Sequence, residues 1–285
     1  IFAIMSIILF TKMLIGKTID ETVEFAAKYG FEGLDLALRE GYPVNPGNMT
    51  EALPILVRKC KGAGLSIPMV TGEGNLLNSK ENNAEKLVKT LADSGIPLLK
   101  LGYFTFPYKE MNYWQEVDRI RAIIEDWEKL ASKCGIKICL HTHSNGNMGM
   151  NCSAMMHLIK GFDPKYIGAY IDPGHMVVEG EEFSAGLAIV GEYLCAVALK
   201  DVALDREDHE NYGTLKPRWT KAGVGVVDWP KVFSSLAEIK FEGSLTVHYQ
   251  FKFAQELFDS TIRSEIDFFK WQRGILFNKE NLPRI

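Results

Sequence analysis

The sequence predicts an α/β chain folded as a (β/α)8 TIM barrel, eight parallel strands ringed by helices. Three observations predict it. Short apolar runs rich in β-branched residues alternate with amphipathic segments about eight times over 285 residues, the rhythm of repeated βαβ units. That length suits a barrel of about 250 residues with additions. No G-x-G-x-x-G follows the first apolar run, which removes the main reason to prefer an open dinucleotide-binding sheet and predicts no nucleotide cofactor. No Pro/Gly/Ser-rich linker, low-complexity stretch or sharp change of charge divides the chain, so residues 1–285 read as one domain.

The predicted strands cover 4–10, 33–38, 66–71, 97–103, 136–142, 167–172, 194–200 and 244–249. The first lies in "IFAIMSIILF", which is too short to span a bilayer and ends at Thr11-Lys12. Between strands, "TIDETVEFAAKYG", "AEKLVKTLADSG" and "WQEVDRIRAIIEDWEKLASKCG" place apolar residues three or four apart and stop at Gly, as helices do. Asp20 and Thr50 stand before such runs as N-caps or first-turn residues, and Pro54 sets the start of the second helix near itself. The tail "AQELFDSTIRSEIDFFKWQRGIL" supplies the last helix.

A net charge of −4 leaves no basic stripe for nucleic acid, and a small neutral or polar ligand fits the composition better. No membrane partner is expected, and the oligomeric state is left open. Five cysteines without C-x-x-C spacing read as thiols rather than a disulfide framework or a structural zinc site. A cytoplasmic location is the expectation. Export after removal of a signal peptide is the alternative, because the chain does not begin with Met.

In a barrel of this class the chemistry sits at the C-terminal ends of the strands. Four of the six histidines fall there: His141 and His143 in "ICLHTHSNG", His175 in "YIDPGHM" and His248 in "TVHYQF". His157, in a helical segment, and His209, in a charged loop, read as solvated or packing residues. Alternation puts His141 and His143 on the inward face with Cys139, and Thr246, His248 and Gln250 on one face of the last strand. Asp172 ends the sixth strand. His141, Asp172 and His248 thus come from three strands as candidate ligands for a divalent metal such as Zn, Mn, Fe, Co or Ni. Lys200 and Asp201 end the seventh strand as a salt bridge or as substrate contacts. Arg39, Glu40 and Glu73 lie in loops at the same end of the barrel. Lys100 is a charge inside an apolar strand and needs a partner or a pocket. Trp219, in "KPRWTKAG", offers a flat wall to a ring-shaped ligand or packs a loop.

Taken together, "GFEGLDLALREG", "ICLHTHSNG", "YIDPGHMVVEG", "ALKDV", "GVGVVDWPKVFSSLAEIKFEGSL" and "TVHYQF" resemble the xylose-isomerase-like TIM barrels, in that family's order. The group holds sugar phosphate isomerases and epimerases, inosose dehydratases and type-IV AP endonucleases. The resemblance implies a divalent metal held by a strand-five glutamate, the aspartate of D-x-x-H, the histidine of H-x-K-D and a strand-eight glutamate. Asp172 and His175 match D-x-x-H as they stand. His141 occupies the first glutamate position, Ala198 the histidine position ahead of Lys200 and Asp201, and His248 or Gln250 the second glutamate position.

The resemblance therefore implies a metal-dependent isomerase or epimerase acting beside the carbonyl of a sugar, keto-sugar or cyclitol. Zn, Mn, Co, Ni, Fe or Mg would sit at His141, Asp172 and His248. His175, ahead of His143, Glu73 and Lys200, is the expected base, and Arg39, Lys100, Trp219, Gln250 and Asp201 the expected substrate contacts. Alternatives are a dehydratase or lyase on a similar substrate, and a carbohydrate-binding or sensing barrel that has lost its glutamates. A nucleic-acid role is disfavoured because too few metal ligands remain for a multi-metal cluster. No Gly-rich phosphate loop follows the seventh strand, which favours an unphosphorylated ligand.

Overall fold

Side chains that alternate along each apolar run separate into an inner set and an outer set, and this closes the sheet on itself. The computed structural model describes residues 5–81, 83–208 and 213–277. In chain order the strands are β1 (Ile7–Phe10), β2 (Gly33–Ala37), β3 (Ser66–Thr71), β4 (Leu98–Lys100), β5 (Lys137–His141), β6 (Ile167–Ile171), β7 (Leu194–Leu199), β8 (Asp201–Asp208), β9 (Gly213–Thr220) and β10 (Ser244–Val247). A closed parallel barrel runs β1-β10-β7-β6-β5-β4-β3-β2, and β8 and β9 form a separate antiparallel hairpin. The eight barrel strands fall within the eight predicted spans; residue 4 of the first span lies outside the described residues.

Inside the barrel, Ile8, Met69, Leu98, Cys139, Tyr170, Ala196 and Ala198 form one buried cluster. Their neighbours in sequence, such as Leu9, Val70, Leu99, Ile138 and Val197, join the larger core against the helices. Toward the strand ends most inward positions are more polar: Lys100, His141, Asp172, Lys200 and His248 are all buried, with Phe10 the apolar exception on β1.

The helices are α1 (Ile19–Tyr29), α2 (Met49–Gly62), α3 (Ala84–Asp93), α4 (Tyr113–Cys134), α5 (Cys152–Ile159), α6 (Pro173–Val178), α7 (Phe183–Val190), α8 (Trp229–Glu238) and α9 (Phe258–Phe277). The N-cap of α1 is Thr18, and Asp20 stands in the first turn. Its hydroxyl accepts from the Glu21 N–H while the Glu21 carboxylate accepts from the Thr18 N–H, a reciprocal box that outcompetes the neighbouring acid. α2 begins at Met49, well before Pro54, and carries the proline inside it. A turn in which Asn45 Oδ1 accepts from Gly47 N–H and Asn48 Oδ1 from Asn45 N–H starts this helix early. Burial of Met49, Leu53 and Leu56 then holds it.

The charged stretch after β7, expected as loop, is instead the β8–β9 hairpin, in register from Asp201↔Thr220 to Asp208↔Gly213. Its own side chains hold it: Arg218 pairs with Asp205, and Lys216 with Glu207 at 2.7 Å. His209 lies outside the described residues. All five cysteines are free, and no described helix is long and apolar enough to cross a membrane.

Candidate active site

At the C-terminal ends of the strands a cavity of about 390 Å³ is lined by Phe10, Arg39, Lys100, Tyr103, His141, His143, Tyr170, His248 and Gln250, among others. Its size lies within the range of small-molecule sites, and aromatic faces alternate with polar tips around it.

Strand β5 delivers His141 onto the inward face. The ring stacks on Tyr170 with centroids 4.1 Å apart and planes at 12°. Its Nε2 lies 3.2 Å from Asp172 Oδ2 and its Nδ1 lies 3.0 Å from the Tyr103 hydroxyl. A carboxylate only accepts, so Nε2 carries the proton and the Tyr103 O–H donates to Nδ1. Tyr103, His141 and Asp172 therefore form an oriented chain: a hydroxyl, a neutral imidazole that can take its proton, and an acid that fixes the tautomer.

Asp172 is held from several sides. Its amide N–H donates to Thr142 Oγ1 at 2.9 Å, and its Oδ1 caps α6 by accepting from the His175 N–H at 3.1 Å. Its Oδ2 lies 2.9 Å from Lys200 Nζ. Lys200 Nζ also donates to Gln250 Oε1 at 3.0 Å and lies 2.8 Å from His175 Nε2, so three polar atoms surround it. His175 Nδ1 in turn accepts from the Ser144 N–H at 3.2 Å and lies 2.7 Å from Ser144 Oγ.

This arrangement does not fit the expected metal site at His141, Asp172 and His248. His141 presents an N–H, not a lone pair, toward Asp172. His248 spends Nε2 on the Tyr170 hydroxyl at 2.8 Å. The Asp172 carboxylate is neutralised by Lys200, the charge a cation would otherwise supply. Among the described residues, no group of three His, Cys, Asp or Glu side chains is placed to hold a metal ion. The physical reason is in the chain: Ala198 contributes no ring to the inner cluster, and Lys200 extends from the same strand face onto the carboxylate.

Burial sets the protonation of the imidazoles. It holds His141 and His248 well below their ordinary values, with Lys100 adding to the effect on His141 and Lys200 to that on His248. His143 is pushed down to about 4 by burial and by Lys200. Its Nδ1 donates to the Ser144 carbonyl at 2.9 Å, which leaves the lone pair on Nε2. His175 is lowered by burial as well. Burial alone would raise the Asp172 carboxyl, but Lys200 and the surrounding imidazoles outweigh it and the net displacement is downward.

The other predicted residues divide. Arg39 lines the cavity, donating from Nε to the Gly72 carbonyl at 3.1 Å, and Lys100 and Gln250 line it too. His175 and Lys200 are buried beside it and bonded to each other rather than open to it. Glu73 does not line this cavity; it borders a small recess with Leu76 and Leu87, and its Oε1 accepts from the Glu40 N–H at 3.5 Å. Trp219 packs edge-on to His175 at 4.6 Å and lines a second cleft between the hairpin and the segment after β10, which Gln250 also borders. Asp201 is buried and does not line the cavity. Its carboxylate accepts from the N–H groups of Val202, Gly223, Gly225 and Val227 and from Trp229 Nε1, which saturates it and ties the hairpin to α8.

Three residues of the site were missed. Tyr103 and Tyr170 orient the histidines. Asp35 is fully buried on the inward face of β2, with Thr71 donating to Oδ1 at 2.7 Å and Oδ2 without a hydrogen-bond partner among the described residues. A charge inside the apolar run "GLDLA" is the same signal that singled out Lys100, and applied evenly it finds Asp35.

Residues 23–269 match the sequence profile described as the xylose isomerase-like TIM barrel. No curated protein matches the chain in sequence. Among solved structures, D-psicose 3-epimerase from Clostridium cellulolyticum, solved with D-tagatose, superposes with a TM-score of 0.70 at 15% identity, covering 94% of this chain and 99% of its own. The 3-keto-D-glucoside 4-epimerase YcjR from E. coli gives 0.72 at 16% identity, with 94% and 99% covered. The probable 3-DHS dehydratase AsbF from Bacillus anthracis gives 0.70 at 15% identity, with 96% and 99% covered. At these identities the superpositions establish a shared fold. The chain belongs to the xylose isomerase-like TIM barrel family.

Proposed function

We propose that the protein is an isomerase or epimerase of a small keto-sugar or cyclitol, moving a proton at a carbon next to a carbonyl. The observation that carries the reading is the Tyr103–His141–Asp172 chain opening into a cavity of about 390 Å³. Structural relatives that are sugar epimerases, and one probable dehydratase, agree with a carbohydrate-like substrate.

In this reading His143 Nε2, neutral at pH 7, removes the proton, and the Tyr103 hydroxyl, backed by His141, returns one. Arg39 and Gln250 hold substrate hydroxyls, and Tyr103 and Tyr170 offer ring faces to the sugar's C–H groups. No step is routed through a metal, because the donors expected to hold one are bonded to each other, to Tyr170 and to Lys200.

The test is incorporation of solvent deuterium into a panel of ketoses and ketocyclitols, followed by proton NMR. Exchange at one carbon, reduced about 10²–10⁴-fold by Tyr103→Phe or His143→Gln, supports the reading. A second reading, a carbohydrate-binding barrel without turnover, draws on the replacement of both glutamates by His141 and His248. Calorimetric binding of a panel sugar with no exchange would select it.

A further inference from the structure

We propose that Lys100 is a covalent site, whose ε-amine condenses with the substrate carbonyl to form an imine that activates the adjacent C–H bond. This rests on the preceding reading only in requiring a carbonyl in the ligand.

The two buried lysines of the barrel mouth are placed for opposite tasks. Lys200 is paired with the Asp172 carboxylate, donates to Gln250 Oε1 and lies against His175 Nε2. Lys100, at the end of β4 between Thr71 and Cys139, is only 2% exposed yet lines the cavity. Among the described residues no carboxylate or carbonyl oxygen hydrogen-bonds to its Nζ, which instead lies 3.6 Å from the centroid of the Tyr103 ring. Asp35 does not pin it. That carboxyl is hydrogen-bonded to Thr71, forms no ion pair within the described residues, and is itself pushed up to about 7 by burial. An unpaired ammonium in such a place is costly, so the neutral amine is favoured. Burial, reinforced by Arg39, brings Lys100 down to about 7. Desolvation beside a second cation is a recognised way to make lysine a nucleophile at neutral pH.

The chemistry balances without a co-reactant. The Nζ lone pair forms a C–N bond at the carbonyl carbon as the C=O π pair moves to oxygen. That oxygen takes one proton from the amine and one from a general acid and leaves as water, giving a protonated C=N. Loss of the neighbouring C–H proton moves that electron pair into an enamine. Reprotonation and addition of water restore the carbonyl and the free amine. The positive nitrogen thus draws the electrons that a divalent cation would polarise in a metal-dependent barrel, and Tyr103 lies beside both Lys100 and His141.

The test is reductive trapping. The protein is treated with sodium cyanoborohydride and hydroxyacetone, dihydroxyacetone or a ketohexose at pH 7, and adducts are mapped by peptide mass spectrometry. A lysine with a pKa near 7 has a neutral fraction about a thousandfold larger than one near 10.4. Allowing for slower entry, Lys100 should label at least about tenfold faster than exposed lysines such as Lys17 and Lys129. Adducts confined to exposed lysines would overturn the proposal. So would undiminished deuterium exchange in Lys100→Arg or Lys100→Met, which would leave the epimerase reading standing. A Lys100 adduct with no exchange from any sugar would uphold the imine and count against the epimerase reading.

Discussion

Replacing Lys200 by Met, a side chain of similar length without charge, tests whether this residue supplies the cation of the site. Lys200 is 3% exposed and Asp172 not at all, so the substitution leaves a buried carboxylate with only the His141 N–H at 3.2 Å on Oδ2. Removing one partner of such a pair costs about 3–5 kcal/mol, mostly from the charge left behind. Adding Asp172→Asn removes that charge, so the double variant should be less damaged than the two single losses predict, with a coupling of about 1–3 kcal/mol.

The pH dependence gives a second reading of the same pair. The native Asp172 carboxyl lies below its ordinary value, so it contributes stability above the unfolded pKa that is lost as pH falls through the folded one. Without Lys200, burial raises the folded value instead, and the deficit of Lys200→Met shrinks once the solution is acid enough to protonate Asp172. Urea unfolding followed by circular dichroism and tryptophan fluorescence at pH 7 and pH 4 measures all of this. A loss below about 1 kcal/mol at pH 7, or single-variant losses that simply add, would refute the assignment of Lys200 as the counter-charge.

Two further outcomes follow from the neutral histidines. Millimolar Mn²⁺ or Zn²⁺ should leave the melting temperature unchanged, since a ligand stabilises only in proportion to its binding; stoichiometric metal by mass spectrometry, lost in His141→Ala, would contradict the geometry. His143, held near 4 against an ordinary 6.5, contributes stability that is complete above pH 6.5 and is lost as pH falls toward 4, by about 3 kcal/mol. The gap in stability between pH 7 and pH 4.5 should therefore narrow in His143→Gln by about 2–3 kcal/mol, the buried His141, His175 and His248 keeping the remainder, and an unchanged gap would show that His143 carries none of the acid sensitivity.

The barrel was legible because each run of β-branched residues has one face against helices and one against the axis, so its composition is apolar throughout and its length short. The mouth was legible where a titratable residue interrupts such a run, as at His141, Asp172 and Lys100. What sequence could not order was the pairing among them. His141 and Asp172 sit at the positions of metal ligands, but whether their polar atoms converge on a shared gap or on each other depends on the reach of Lys200 from a third strand. The hairpin escaped because "DVALDRED" and "GTLKPRWT" are stabilised by charge pairs across strands, a long-range complementarity invisible to local periodicity. Asp201 looked like a ligand contact because it is a carboxylate at a strand end; only the folded loop shows the five N–H groups already converging on it.

An ammonium built into the chain changes how this site is supplied. A barrel that borrows its positive charge must be loaded after folding, and its activity then follows the availability of that ion in its surroundings. Lys200 arrives with translation, one per molecule, at a place fixed by β7 and by its three polar neighbours. If Lys200 carries the charge of the site, chelators should leave its activity unchanged, and the variable that governs it is the proton.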